Sequence, residues 1–256
     1  MMVRGAAFVV AALASGEGIA QSPNWKGGYA GLNGGYGVGT GAFEELATFT
    51  ADAPPTSTPL TGGNGKNALP GALFGVQLGY NWQPSAEWVL GVEADWQLTS
   101  QSGQNLTCSG AAFSYCLTNK QDISNLGTAR IRGGTTMRDS LWYLTGGVAW
   151  ATVKEQLTFA STVSSSGAPG EFSGDSSFSS TRVGWTIGWG IETKLRSGWS
   201  AKFEYLHASL GSHTQTIALA RNPGFFTFGS GTASATVTTK ISDDIFRFGL
   251  IYRFGG

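Results

Sequence analysis

Across most of this chain, large apolar residues occupy every second position, and a period of two is the signature of an extended strand with unlike faces. From Gly71 to Trp82 the even positions carry Ala72, Phe74, Val76, Leu78, Tyr80 and Trp82. The odd ones carry Gly71, Gly75, Gln77, Gly79 and Asn81, with Leu73 as the apolar exception. A helix repeats every 3.6 residues and cannot sort them this way. From Trp88 to Thr99 the apolar face is Trp88, Leu90, Val92, Ala94, Trp96 and Leu98, opposite a face that includes Glu93, Asp95 and Gln97. Similar segments run over Ile123–Thr135, Leu141–Val153, Val183–Ile191, Trp199–Leu206 and Ile241–Phe254. With the glycine-rich stretch Trp25–Val38 they make eight.

The connections alternate in length. Gln83–Glu87, Thr136–Ser140 and Leu195–Gly198 are short. Gly39–Pro70, Ser100–Asp122, Lys154–Ser180 and Gly211–Lys240 are long and rich in Ser, Thr, Gly and Asn. An even strand count, short turns at one end and long loops at the other describe an outer-membrane barrel. The expected fold is therefore all-β: an eight-stranded antiparallel up-and-down transmembrane β-barrel with four long extracellular loops and short periplasmic turns.

Alternation alone does not say which face is outside. A soluble lipocalin-like barrel with its apolar face around a ligand is the competing arrangement. It would present water with a face of Gly, Thr and Gln, and only 12% of all residues are charged, about half the proportion of a soluble domain. In lipid the apolar face turns out and the polar face is sealed inside. Trp82, Trp88, Trp142 and Trp199 beside the short turns, and Trp96 and Trp150 toward the long loops, also suit two interfacial girdles.

Residues 1–20 have the parts of a secretory signal: Arg4, an apolar run from Gly5 to Ala14, and small residues at Gly18 and Ala20. Cleavage is expected after Ala20, leaving 21–256 as one barrel domain. No later run is long enough for a spanning helix. Sixteen basic and sixteen acidic residues cancel without any like-charge block, so a nucleic-acid footprint is lacking. Export places Cys108 and Cys116 in an oxidising compartment, where a loop disulfide is expected. A metal site would need further ligands near them, and His207 and His213 are far along the chain.

The opening Trp25-Lys-Gly-Gly-Tyr-Ala-Gly-Leu-Asn-Gly-Gly-Tyr36, Leu126-Gly-Thr-Ala-Arg-Ile-Arg132, Leu141-Trp-Tyr-Leu-Thr-Gly-Gly-Val-Ala149 and Phe248-Gly-Leu-Ile-Tyr-Arg-Phe254 resemble the RopB-type outer-membrane proteins of alphaproteobacteria, grouped with small porin-family and opacity-like barrels. The resemblance covers the mature barrel. It implies an eight-stranded barrel among outer-membrane lipid and lipopolysaccharide, recognised by the barrel-assembly machinery through a last strand ending in an aromatic, here Phe254. It implies neither catalytic residues nor a cofactor.

The polar face supplies the nearest thing to a site: Glu93, Asp95, Arg130, Arg132, Glu192, Lys194, Lys202, Glu204, Arg247 and Arg253. Eight strands enclose a space that side chains fill, and buried charges must pair. These groups are expected to form an interior plug, with a narrow selective conduit as the alternative. Ser212, His207 or His213, and Asp243 or Asp244 could compose a hydrolytic set, so a barrel enzyme acting on lipid or surface substrates is the other alternative. Gly35, Gly37 and Gly39 invite a nucleotide-loop interpretation, but follow no buried parallel strand; small residues admitting close neighbours fit better. The expected role is structural, in envelope integrity and surface interaction, with the loops open to a ligand.

Overall fold

The computed structural model describes residues 24–254 apart from 53, 110–112, 164–167 and 223–229. The expected leader and its cleavage point after Ala20 lie outside these residues, as do Gly255 and Gly256. Eight strands follow in order: β1 (Gly27–Ala51), β2 (Ser57–Trp82), β3 (Trp88–Ser109), β4 (Phe113–Met137), β5 (Ser140–Val163), β6 (Ala168–Lys194), β7 (Trp199–Arg221) and β8 (Gly231–Arg253). Each pairs antiparallel with its sequence neighbours, and β1 closes on β8 through pairs such as Tyr29↔Arg253 and Tyr36↔Phe246. Closure satisfies the backbone groups that lipid cannot.

The apolar face is outside. Phe248 is 67% exposed while its neighbour Arg247 is fully buried. Phe74, Leu78, Leu90, Leu98, Leu144, Trp185 and Ile187 all turn outward. On β3 the apolar outer run extends from Trp88 to Leu98, the length a tilted strand needs to cross the hydrocarbon layer. A water-soluble barrel would leave this belt unsolvated by any partner.

The long connections differ from their expected form. Most of Gly39–Pro70, Ser100–Asp122, Lys154–Ser180 and Gly211–Lys240 is strand, continuing the same eight strands past the apolar belt. What changes there is chemistry. On β8 the inward residues remain the odd-numbered ones throughout, but above the belt they are Ala233, Ala235 and Val237, facing away from outward Ser234, Thr236 and Thr238. Within it they include Arg247, behind outward Phe246 and Phe248. The strand keeps its geometric phase and inverts its polarity.

Pairing also changes above the belt. β2 and β3 form a ladder only from Leu73↔Thr99 to Trp82↔Leu90. β6 and β7 pair from Trp185↔Ser209 to Lys194↔Ser200, then only at Phe172 and Ser173 near the tip. The other six seams are continuous nearly to their tips. The barrel thus opens outward into two four-stranded sheets, β7-β8-β1-β2 and β3-β4-β5-β6. Between them lies an apolar core containing Phe43, Phe49, Ile217 and Val237 from one sheet and Leu117, Leu157, Phe159 and Phe172 from the other, as in a face-packed sandwich.

Candidate functional site

The interior is filled in layers. At the periplasmic mouth fully buried Trp25 packs with Val89, Leu141 and Tyr143. Its ring lies beneath two cations, the Arg253 guanidinium 4.9 Å and the Lys194 ammonium 5.1 Å from its centroid. Asn81 holds this entry segment by donating to the Trp25 carbonyl at 3.1 Å.

Immediately above is the charge network. Arg130 is its hub: Nε donates to Thr128 Oγ1 at 2.9 Å, Nη1 to Glu204 Oε1 at 3.0 Å, and Nη2 to Asp95 Oδ2 at 2.8 Å as well as to Glu93. Arg247 bridges Glu204 Oε2 at 2.7 Å and Asp95 Oδ2 at 2.9 Å. Lys202 sits on both oxygens of Glu93, at 2.8 and 2.9 Å. Arg132 reaches Glu192 at 3.2 Å, and Arg253 binds the same carboxylate. Five cations thus face four carboxylates, with the Tyr29 and Tyr143 hydroxyls donating to Glu93 and Glu204 at 2.7 and 2.8 Å. Every member is buried, and charges so desolvated persist only when paired and hydrogen-bonded.

Nine of the ten charged residues singled out from sequence meet here. Lys194 does not. It lies at the end of β6, half-buried at the mouth, and its ammonium donates to the Asn24 carbonyl at 2.8 Å. Its long stem lets the charge reach the rim, where water is available. Sequence reasoning passed over Tyr29, Asn81, Thr128 and Tyr143, although all share the inward phase of their strands. It also passed over a second pair, Arg182 and Glu155, joined at 2.6 Å higher in the interior. An apolar layer that includes Leu69, Ile123, Val153, Leu206 and Ile245 separates the two ionic levels.

The glycine run on β1 is what admits these side chains. A Cβ on Gly37 would meet the Gln101 amide, one on Gly41 the Gln121 amide, and one on Gly35 the Arg247 backbone. Gln101 can therefore donate to Asp243 Oδ1 at 2.8 Å. Higher still, Glu45 is buried at the level of the sandwich core, and burial pushes its carboxyl up to about 6.

The hydrolytic set is not assembled. Ser212 is exposed on the outer face and His213 turns inward toward Gln215, because adjacent strand residues point to opposite sides. Asp243 faces inward to Gln101, while outward Asp244 accepts from His207 at 2.8 Å and Tyr205 at 2.7 Å. A disulfide joins Cys108 and Cys116, register partners near the tip of the β3–β4 hairpin. Phe254 follows β8 on the outer face, its ring 5.5 Å from Tyr252.

Residues 6–254 match the family model described as outer membrane protein beta-barrel domain. The 31 kDa outer-membrane immunogenic protein of Brucella melitensis is 33% identical over 193 residues, covering 73% of this chain and 72% of that one. The 25 kDa outer-membrane immunogenic protein of the same organism is 25% identical over 224 residues, covering 80% and 90%. Among solved structures, the outer membrane protein OprG from Pseudomonas aeruginosa aligns over 89% of this chain and 97% of its own, at 13% identity and a TM-score of 0.41.

Proposed function

The chain belongs to the outer-membrane β-barrel domain family, and from that premise we propose that it is a closed, non-catalytic barrel serving envelope integrity and carrying a rigid platform above the outer membrane. The carrying observation is the filled interior. Trp25, the charge network, two apolar layers and the Arg182–Glu155 pair follow one another from the periplasmic mouth to the outer tip. A conduit for small solutes needs a continuous wet path, and desolvated ion pairs crossing the lumen take its place. Support for the absence of catalysis comes from Ser212, which shares no hydrogen bond with His213 or with the His207–Asp244 pair among the described residues.

In this role the barrel contacts outer-membrane lipid and lipopolysaccharide through its aromatic belt, is inserted by the barrel-assembly machinery with Phe254 as part of the signal, and meets surface ligands through its outer strands. Purified barrel, verified by a mobility shift on boiling, is placed in planar bilayers. Silence across salt gradients is expected; steady single-channel steps would establish the narrow porin in its place.

A further inference from the structure

Closed barrels have no strand edges, and this one regains them outside the membrane. At the β2–β3 seam the missing ladder is replaced by side chains. The Ser100 hydroxyl bridges the Ala72 amide and carbonyl at 3.1 and 3.3 Å, Gln101 donates to the Leu69 carbonyl at 3.2 Å, and Asn105 to the Lys66 carbonyl at 2.9 Å. At the β6–β7 seam no ladder pair and no side-chain hydrogen bond joins residues 174–184 to 210–219 among the described residues. The inward side chains Ser176, Phe178, Ser180, His213 and Gln215 are half-exposed there, whereas inward residues elsewhere are mostly buried. Water reaches this seam.

Which backbone groups are free follows from the ladder below. The Lys194 amide donates toward β5, to the Asp139 carbonyl at 2.9 Å. Backbone direction alternates with period two, so even-numbered residues of β6 face β5 and odd-numbered ones face the seam. Asp175, Ser177, Ser179, Thr181 and Val183 therefore turn their N–H and C=O groups toward a seam that β7 closes by ladder pairs only at its two ends, Trp185↔Ser209 and Ser173↔Ala220. Natural edges are normally guarded by lysine, proline or a covering element. This one carries neither lysine nor proline; its charges are Asp175 at one end and inward-facing Arg182 near the other, and the outward side chains between and beside them are mostly small hydroxyls: Ser177, Ser179 and Thr181 on β6, Ser212, Thr214 and Thr216 on β7.

We propose that the β6 edge, Asp175–Val183, is a strand-addition site at which an extended peptide segment of a surface partner pairs with the barrel. Donors and acceptors repeating every second residue are matched only by another extended polypeptide. The hydroxyl flanks favour a partner with small or polar side chains over an apolar one. This rests on the reading of the outer strands as an interaction platform, and it names the partner class.

The probe is a synthetic peptide copying Leu210–Leu219, titrated onto the full-length barrel in detergent micelles and followed by anisotropy and amide hydrogen exchange. Saturable binding is expected, with the odd-numbered amides of 175–183 slowed at least ~10-fold and those of 100–109 unchanged. Ser179→Pro, which deletes a seam amide and leaves the β5 ladder whole, is expected to abolish binding while the boiling-dependent mobility shift persists. Should that variant fail to fold, the same peptide N-methylated at alternate residues is expected to lose binding to the unaltered barrel. No saturable binding, or binding indifferent to Ser179→Pro and to N-methylation, overturns the proposal. A dimer forming without peptide and dispersed by Ser179→Pro makes a second copy the occupant and overturns the assignment to a foreign segment. Bilayer silence, read separately, reports only on closure of the lumen.

Discussion

Replacing Arg130 by methionine removes the hub of the charge network while preserving most of its volume. The guanidinium sits against three carboxylates, at 2.8 Å from Asp95, 3.0 Å from Glu204 and in contact with Glu93, all buried. Without it, Asp95 keeps Arg247, Glu93 keeps Lys202, and Glu204 keeps Arg247 with Lys202 at 3.7 Å. The network thus goes from five cations and four carboxylates to four of each, and three carboxylates lose a shared close partner without being orphaned. Breaking one partner from a buried ionic group costs about 3–5 kcal/mol, and Arg130→Met is expected to fall in that range in urea unfolding of the micelle-bound barrel. Glu204 is a direct partner of Arg130 at 3.0 Å, so with Glu204→Gln added the double variant should be more stable than the summed single losses by on the order of 1–3 kcal/mol. A loss below about 1 kcal/mol for Arg130→Met, or strictly additive losses, would refute a tightly paired dry lumen and point to one screened by water.

Other perturbations test other layers. Trp25→Ala should lower barrel stability by roughly 3–5 kcal/mol through the cavity left at the mouth, measured by the urea midpoint; an unchanged midpoint would mean that the entry segment packs without consequence. For Glu45 the folded carboxyl is raised to about 6 from an ordinary 4.5, so the folded state holds the proton more tightly. Its stabilisation is complete below about 4.5 and lost as pH rises through about 6. Protection of amides near Leu117 and Phe159, taken relative to their intrinsic exchange, should therefore fall over that window, and Glu45→Gln should flatten the profile. Cys108→Ser with Cys116→Ser should speed exchange at the β3–β4 tip and leave the urea midpoint of the barrel nearly unchanged; a large midpoint shift would show that the hairpin tip is coupled to the lumen.

The transmembrane half was legible because period-two alternation there carries strong contrast. Phe246, Phe248 and Leu250 against Arg247 leave no doubt about two faces, and the same contrast put nine of ten charged residues into one network. Lys194 escaped because side-chain reach at a strand end is not encoded in phase. The outer strands were hidden for a different reason. Stretches such as Ser173–Thr181 put small or polar residues on both faces, Phe178 apart, so strand geometry persists there without a hydropathy signal. The ladder breaks at β2–β3 and β6–β7 had no local signature, since pairing across a seam depends on how two sheets separate around a core drawn from distant residues. His207 and Asp244 lie 37 positions apart and meet only through register.

The polarity inversion along β8 also marks a waterline. On β7 and β8 the outer surface passes from Tyr205 and Phe246 to His207 and Asp244 within a single two-residue step, about 7 Å of strand. Sinking by one such step would drag a carboxylate and an imidazole into hydrocarbon, and rising by one would lift aromatic rings into the headgroups and beyond. On β7 and β8 the outer surface therefore favours one depth in the bilayer to within a few ångströms. The outer strands, the β6 edge among them, are thereby held clear of the hydrocarbon and presented to the medium.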